Sequence, residues 1–98
     1  MDSLDEVIHQ PVRLKIMAAL KALPARESIE FVRLRAIVGA TEGNLGAHLA
    51  TLEKCGYVQM EKDFVGKKPR TSIAITKEGR RAFEGYVDHL RSILDGAA

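Results

Sequence analysis

Between Lys62 and Arg70 the chain places four basic side chains, Lys62, Lys67, Lys68 and Arg70, against one acid, Asp63. Such a cluster suits polyanion binding, because ammonium and guanidinium groups pair with phosphate oxygens and displace their counterions. Four minus one leaves +3, more than the +2 of the whole 98-residue chain, so the charge is localised. Lysines also decorate ordinary solvated turns, and the neighbouring segment decides between the two readings. That segment, Thr41–Gly56, presents Thr41, Gly43, Asn44, Ala47, Thr51 and Lys54 on one side of a helix period. Asn44 can pair bidentately with adenine, and Thr51 can hydrogen-bond a base or a phosphate. Thr41 and a helix N-terminus suit a phosphate oxygen.

Other chemistry is poorly provided for. Cys55 is the lone cysteine, and His9, His48 and His89 are scattered, so no nucleophile has a base and an orienting group at workable spacing. G-A-T-E-G-N-L-G is a turn and helix start without the lysine of a phosphate loop. Neither an enzyme, a cofactor nor a metal site is expected. Cys55 reads as a small buried hydrophobe, and His48, about 60° from the apolar stripe on a helical wheel, as a half-buried structural residue.

The elements that must position these residues follow from periodicity. Leu45, Leu49 and Leu52 form an apolar stripe at i, i+4, i+7, with Thr41 as N-cap and Gly56 as the left-handed terminator. The opposite face, with Gly43, Gly46, Ala47 and Ala50, is too low and too uncharged for a merely solvated helix. It can lie close against something large. Upstream, Ser3-Leu4-Asp5-Glu6 has a capping-box pattern, and Pro11 interrupts a short helical segment that ends near His9. A helix opened by Pro11 presents Leu14, Ile16, Met17, Leu20 and Leu23, and Pro24 closes it. A small strand is expected around Ile29, then a helix over 31–38 with Leu34, Ile37 and Val38 inward and Gly39 at its end. Two short helices joined by Gly39-Ala40-Thr41 make a helix-turn-helix. Val58 and Met60, then Ile73 and Ile75, alternate as two strands, and Lys62–Arg70 forms the basic loop between them, with Gly66 and Pro69 as turn residues. Thr76 caps a last helix carrying Phe83, Tyr86, Val87, Leu90, Ile93 and Leu94.

One domain spanning 1–98 accounts for this length. A composition of 46% hydrophobic and 29% charged residues argues against disorder. The acidic start is no signal peptide, no apolar run reaches membrane length, and a single cysteine fits a reducing compartment, so a cytoplasmic location is expected.

Three stretches, H-Q-P-V-R-L-K-I-M-A-A-L, E-G-N-L-G-A-H-L-A-T-L-E-K-C-G-Y-V and G-K-K-P-R-T-S-I-A-I-T-K-E-G-R, resemble in order and content the winged helix DNA-binding domain family, in particular its MarR- and ArsR-like small transcriptional regulators. The resemblance covers roughly residues 4 to 94. It implies an α+β, mostly α, winged helix-turn-helix that binds double-stranded DNA as a homodimer, with helix 41–55 in the major groove and wing 62–71 on phosphates or in the minor groove. The paired-cysteine motif of metal-sensing ArsR members has no counterpart here. The DNA-contacting set expected is Thr41, Gly43, Asn44, Ala47, Thr51, Lys54, Lys67, Lys68 and Arg70. Glu42 sits awkwardly beside phosphate, and the helix carries no arginine, the commonest reader of guanine, so its discrimination between sequences is expected to be modest.

Apolar patches at both ends point to an interface. Residues 1–10 and 84–96 are expected to dimerise through Leu4, Val7, Ile8, Tyr86, Val87, Leu90, Ile93 and Leu94, unless the two patches cover each other within one chain. The competing reading of the whole is a winged-helix module for protein contacts without specific DNA binding. No effector is named by the sequence.

Overall fold

The structure, a computed structural model, describes residues 4–96. The order is α1 (Glu6–His9), α2 (Pro11–Lys21), β1 (Ile29–Glu30), α3 (Phe31–Val38), α4 (Glu42–Lys54), β2 (Val58–Val65), β3 (Lys68–Ile75) and α5 (Lys77–Asp95). The three strands form one antiparallel sheet in the order β1-β3-β2.

Local chemistry sets most boundaries. Thr41 accepts from the Asn44 N–H and Thr76 from the Gly79 N–H, each satisfying a donor at a helix start. Gly39 (φ 69°) and Gly56 (φ 82°) adopt the left-handed conformation that ends α3 and α4. Pro11 occupies the first turn of α2, where its missing N–H costs nothing. The cap of α1 is Asp5, whose carboxylate accepts from the Val7 and Ile8 N–H groups. The expected Ser3 end of the capping box lies outside the described residues.

Ile16, Met17 and Leu20 of α2, Leu34 and Val38 of α3, Leu45, Leu49 and Leu52 of α4, and Val58 and Ile73 of the sheet are buried around one core. Each such side chain contributes roughly 1.5–3 kcal/mol over an exposed one. Two inward assignments change. Ile37 is exposed, because the eight-residue α3 buries only the i, i+4 pair Leu34 and Val38, and Ile37 lies off that pair. Cys55 is exposed as well, at the helix end where the chain turns toward Gly56.

Three side-chain bonds tie α1 into this body. The Tyr57 hydroxyl donates to Asp5 at 2.7 Å, which pushes its phenol up to about 12, chiefly through that bond and then through burial. His9 Nδ1 meets the Tyr86 hydroxyl of α5 at 2.9 Å. Arg13 Nε donates to the Val7 carbonyl at 2.6 Å.

Candidate nucleic-acid interface

On α4, Leu45, Leu49 and Leu52 are fully buried, which turns Gly43, Asn44, Ala47, Ala50, Thr51 and Lys54 outward into solvent. Thirteen residues of helix therefore present a face with no large aliphatic or aromatic side chain. A Cβ added at Gly43 or Gly46 would meet nothing within 4 Å, so no neighbouring element among the described residues explains those glycines. Among the described residues, the Asn44 backbone N–H goes to Thr41 Oγ1 at 3.1 Å and no hydrogen bond engages its side-chain amide. Both amide groups are free to pair with a base edge. Thr51 Oγ1 donates to the Ala47 carbonyl at 3.3 Å, so the capacity left to its hydroxyl is as an acceptor. That favours an exocyclic amino group of a base over a phosphate.

His48 stands on the shoulder of α4, half-buried as expected. Its Nδ1 lies 3.2 Å from Arg13 Nη1. A guanidinium only donates, so Nδ1 accepts and the imidazole is neutral, with its proton on Nε2. Burial, then the Arg13 charge, hold its pKa below the usual histidine value. Through Arg13 the end of α1 is thus linked to α4.

The basic segment is more ordered than a loop. β2 and β3 pair in register from Val58↔Ile75 to Val65↔Lys68, leaving Gly66-Lys67 as a two-residue turn. Gly66 has φ 65° and Lys67 a negative φ, the pattern of a type II′ hairpin. Pro69 is therefore a strand residue opposite Phe64, not a turn residue. Its missing N–H is tolerated because β1 pairs only with Ile73 and Ser72, so that side of β3 is an open edge at Pro69.

The expected anion-binding set is also divided. Arg70 reaches its cross-strand partner Asp63 through two parallel bonds, Nε–Oδ1 at 2.9 Å and Nη2–Oδ2 at 2.8 Å. The pairing raises the Arg70 pKa and lowers that of Asp63, first through the hydrogen bonds and, on each side, with the partner's charge adding to the shift. Lys62, Lys67 and Lys68 are exposed and supply the net charge of the tip.

Of the residues assigned to a dimer face, Ile8 and Tyr86 are buried inside the chain. They serve the core because α1 packs on α2 and the Tyr86 hydroxyl of α5 meets His9 at the end of α1. Leu4, Val7, Val87 and Leu90 are half-buried, and Ile93 and Leu94 are exposed at the end of α5. Sequence reasoning passed over Phe64 and Val32, which are 69% and 74% exposed. For Phe64 the available signal was an aromatic residue inside an otherwise polar, basic hairpin.

No helix among the described residues is long and apolar enough to cross a membrane, and no group of three or more metal-ligating side chains occurs among them.

A profile of the winged helix DNA-binding domain matches residues 12–94. An uncharacterised protein of Methanocaldococcus jannaschii is 39% identical over 82 residues, 84% of this chain and 86% of that one. Among solved structures, a transcriptional regulator homologue from Pyrococcus horikoshii OT3 superposes with a TM-score of 0.83 at 30% identity, over 95% of this chain and 89% of that chain. A PadR family transcriptional regulator from Eggerthella lenta DSM 2243 gives a TM-score of 0.69 at 26% identity, over 94% and 85%.

Proposed function

The chain belongs to the winged helix DNA-binding domain family, and from that premise we propose that it is a DNA-binding transcriptional regulator in which α4 lies in the major groove and the β2–β3 hairpin follows the adjacent backbone. One observation carries the reading: a recognition-type helix with a low, exposed face stands next to a hairpin tipped by exposed lysines. The major groove admits a helix, and a face of Gly43, Gly46, Ala47 and Ala50 brings the backbone close to base edges. Asn44 and Thr51 then supply polar contacts, Thr41 and the start of α4 take a phosphate, and Lys54 adds charge at the far end. The similar solved structures include a PadR family member, so the reading stays at the level of the winged helix family rather than its MarR or ArsR branches.

The hairpin's part has a quantitative test. With Arg70 held by Asp63, Lys67 and Lys68 are the cations beside the turn that make no ion pair among the described residues. Replacing both by alanine is expected to lower the slope of log K against log salt by roughly 1.8, about 0.9 per lost phosphate contact. Fluorescence anisotropy on a duplex selected from genomic fragments reads this directly. An unchanged slope removes the hairpin from the interface.

Two copies suit such a reader, since a two-fold dimer sets two α4 helices about one DNA turn apart. Ile93 and Leu94, exposed at the end of a 19-residue α5, together with half-buried Leu4, Val7, Val87 and Leu90, form the apolar surface for it. Sedimentation of the wild type at micromolar concentration is expected to show a dimer, and the Ile93→Asp, Leu94→Asp double variant a monomer. A monomeric wild type rules the arrangement out.

A further inference from the structure

Three phenylalanines and two tyrosines are all the aromatics the chain has. Four are buried or half-buried, and Phe64 stands 69% exposed near the hairpin tip. Successive side chains of a strand alternate between faces. Val58, Met60, Lys62 and Phe64 therefore share one side of β2, and buried Val58 with half-buried Met60 makes it the core side. Beyond Met60 the hairpin outruns the body, and this core-facing side continues into solvent. Phe64 lies opposite Pro69 in the register. Pro69 and Val32 line one shallow groove with Phe31, Thr71, Arg70 and Glu30, so the surface running from Pro69 toward the start of α3 is apolar in part, with one charge of each sign. Lys62, Lys67 and Lys68 surround the tip; Asp63 among them is taken by Arg70, and Glu61 and Glu30 stand nearer the body at the level of Ser72.

We propose that Phe64 is an apolar wedge that enters the minor groove at a base step and bends the duplex, with Lys62, Lys67 and Lys68 on the flanking phosphates. The proposal rests on the reading that the hairpin approaches DNA. Charge selects this occupant over a second copy of the chain. A two-fold contact through this tip would set the three lysines against their own images, whereas a polyanion matches them. A two-residue turn keeps the tip narrow, and the minor groove, about 6 Å wide, accepts a single inserted ring. Phenylalanine is among the side chains that partly unstack a base step and kink DNA toward the major groove. Substitution at a site this exposed leaves the core untouched.

The test uses the full chain and the selected duplex, labelled at its two ends with a fluorophore pair. Phe64→Ala is expected to weaken binding roughly ten- to hundredfold, the range of a lost ring–base contact. The duplex ends should move apart to the unbent distance while the salt slope keeps its wild-type value. Phe64→Leu, still a wedge, should retain most of the bend. Wild-type affinity or bending in Phe64→Ala overturns the proposal, as does a wild-type complex that is straight. A change in sedimentation of Phe64→Ala without DNA would assign the ring to a protein contact instead. The Lys67, Lys68 double variant separates the two levels. If its slope falls while Phe64→Ala is neutral, the hairpin reading stands and the wedge fails; if neither variant has an effect, both fail.

Discussion

Ala47→Glu is expected to lower affinity for the selected duplex on the order of a thousandfold, to the level of non-specific binding, with the fold unchanged. Ala47 is exposed in the middle of the α4 face, one turn after Gly43 and one turn before Thr51. Glutamate is a good helix former, and nothing buried is disturbed, so α4 should persist. In the groove, however, the longer side chain holds the helix away from the bases and brings a carboxylate among phosphates. Glu42 shows why position matters. It sits in the first turn, exposed, where the helix dipole favours a negative charge and the side chain can turn to solvent. Gel shift and circular dichroism on the same preparation check both halves of the expectation. Wild-type affinity in Ala47→Glu would move the small-residue face to a protein partner and favour the interaction-module reading.

Gly79→Ala is expected to destabilise the protein by about 3 kcal/mol, at the upper end of the range for overpacking a tight site. Gly79 is buried in the first turn of α5. A Cβ there would run into the Tyr57 carbonyl oxygen, with the Tyr57 carbonyl carbon at 2.9 Å and Ile75 Cγ1 at 3.0 Å. The backbone cannot retreat easily. The Tyr57 carbonyl accepts the Thr76 N–H at 3.0 Å, and the Thr76 hydroxyl donates to the Gly56 carbonyl at 2.6 Å. The joint that seats α5 on the base of the hairpin is thus built of backbone pressed on backbone. Gly46→Ala is the control: its Cβ meets nothing, and relief of the glycine penalty in a helix should stabilise by about 0.8 kcal/mol. Urea unfolding of both variants gives the two signs. Gly79→Ala as stable as wild type would mean that the joint can give way.

Much of this was legible in the sequence because its helices are bounded by residues with one job. Thr41, Thr76, Gly39 and Gly56 each act locally, through a cap bond or a left-handed φ, so their meaning does not depend on distant contacts. Ile37 and Cys55 were misread because burial is a tertiary property. An eight-residue helix with several apolar residues admits more than one buried stripe, and packing selected Leu34 and Val38. The hairpin's turn was read too wide for a related reason. Lysine, proline and glycine together look like a loop, while the ladder continues past Pro69 on its one paired side. The Asp63–Arg70 pair was hidden until the register set them opposite each other, and the register also showed that Phe64 shares a face with the core.

Beyond Ser72 the hairpin is a ribbon of two strands, because β1 contributes only the pairs Ile29↔Ile73 and Glu30↔Ser72. Sheet pairing therefore does not tie the part that reaches outward to the part that folds. Adding one residue to each strand would lengthen the reach by about 3.4 Å but turn every tip side chain to the opposite face. Adding two to each strand would restore the faces at about 6.8 Å of extra reach. Descendants of this sequence can alter the reach of the hairpin without altering the core, in paired steps, and the parity of those steps is the trace such divergence would leave.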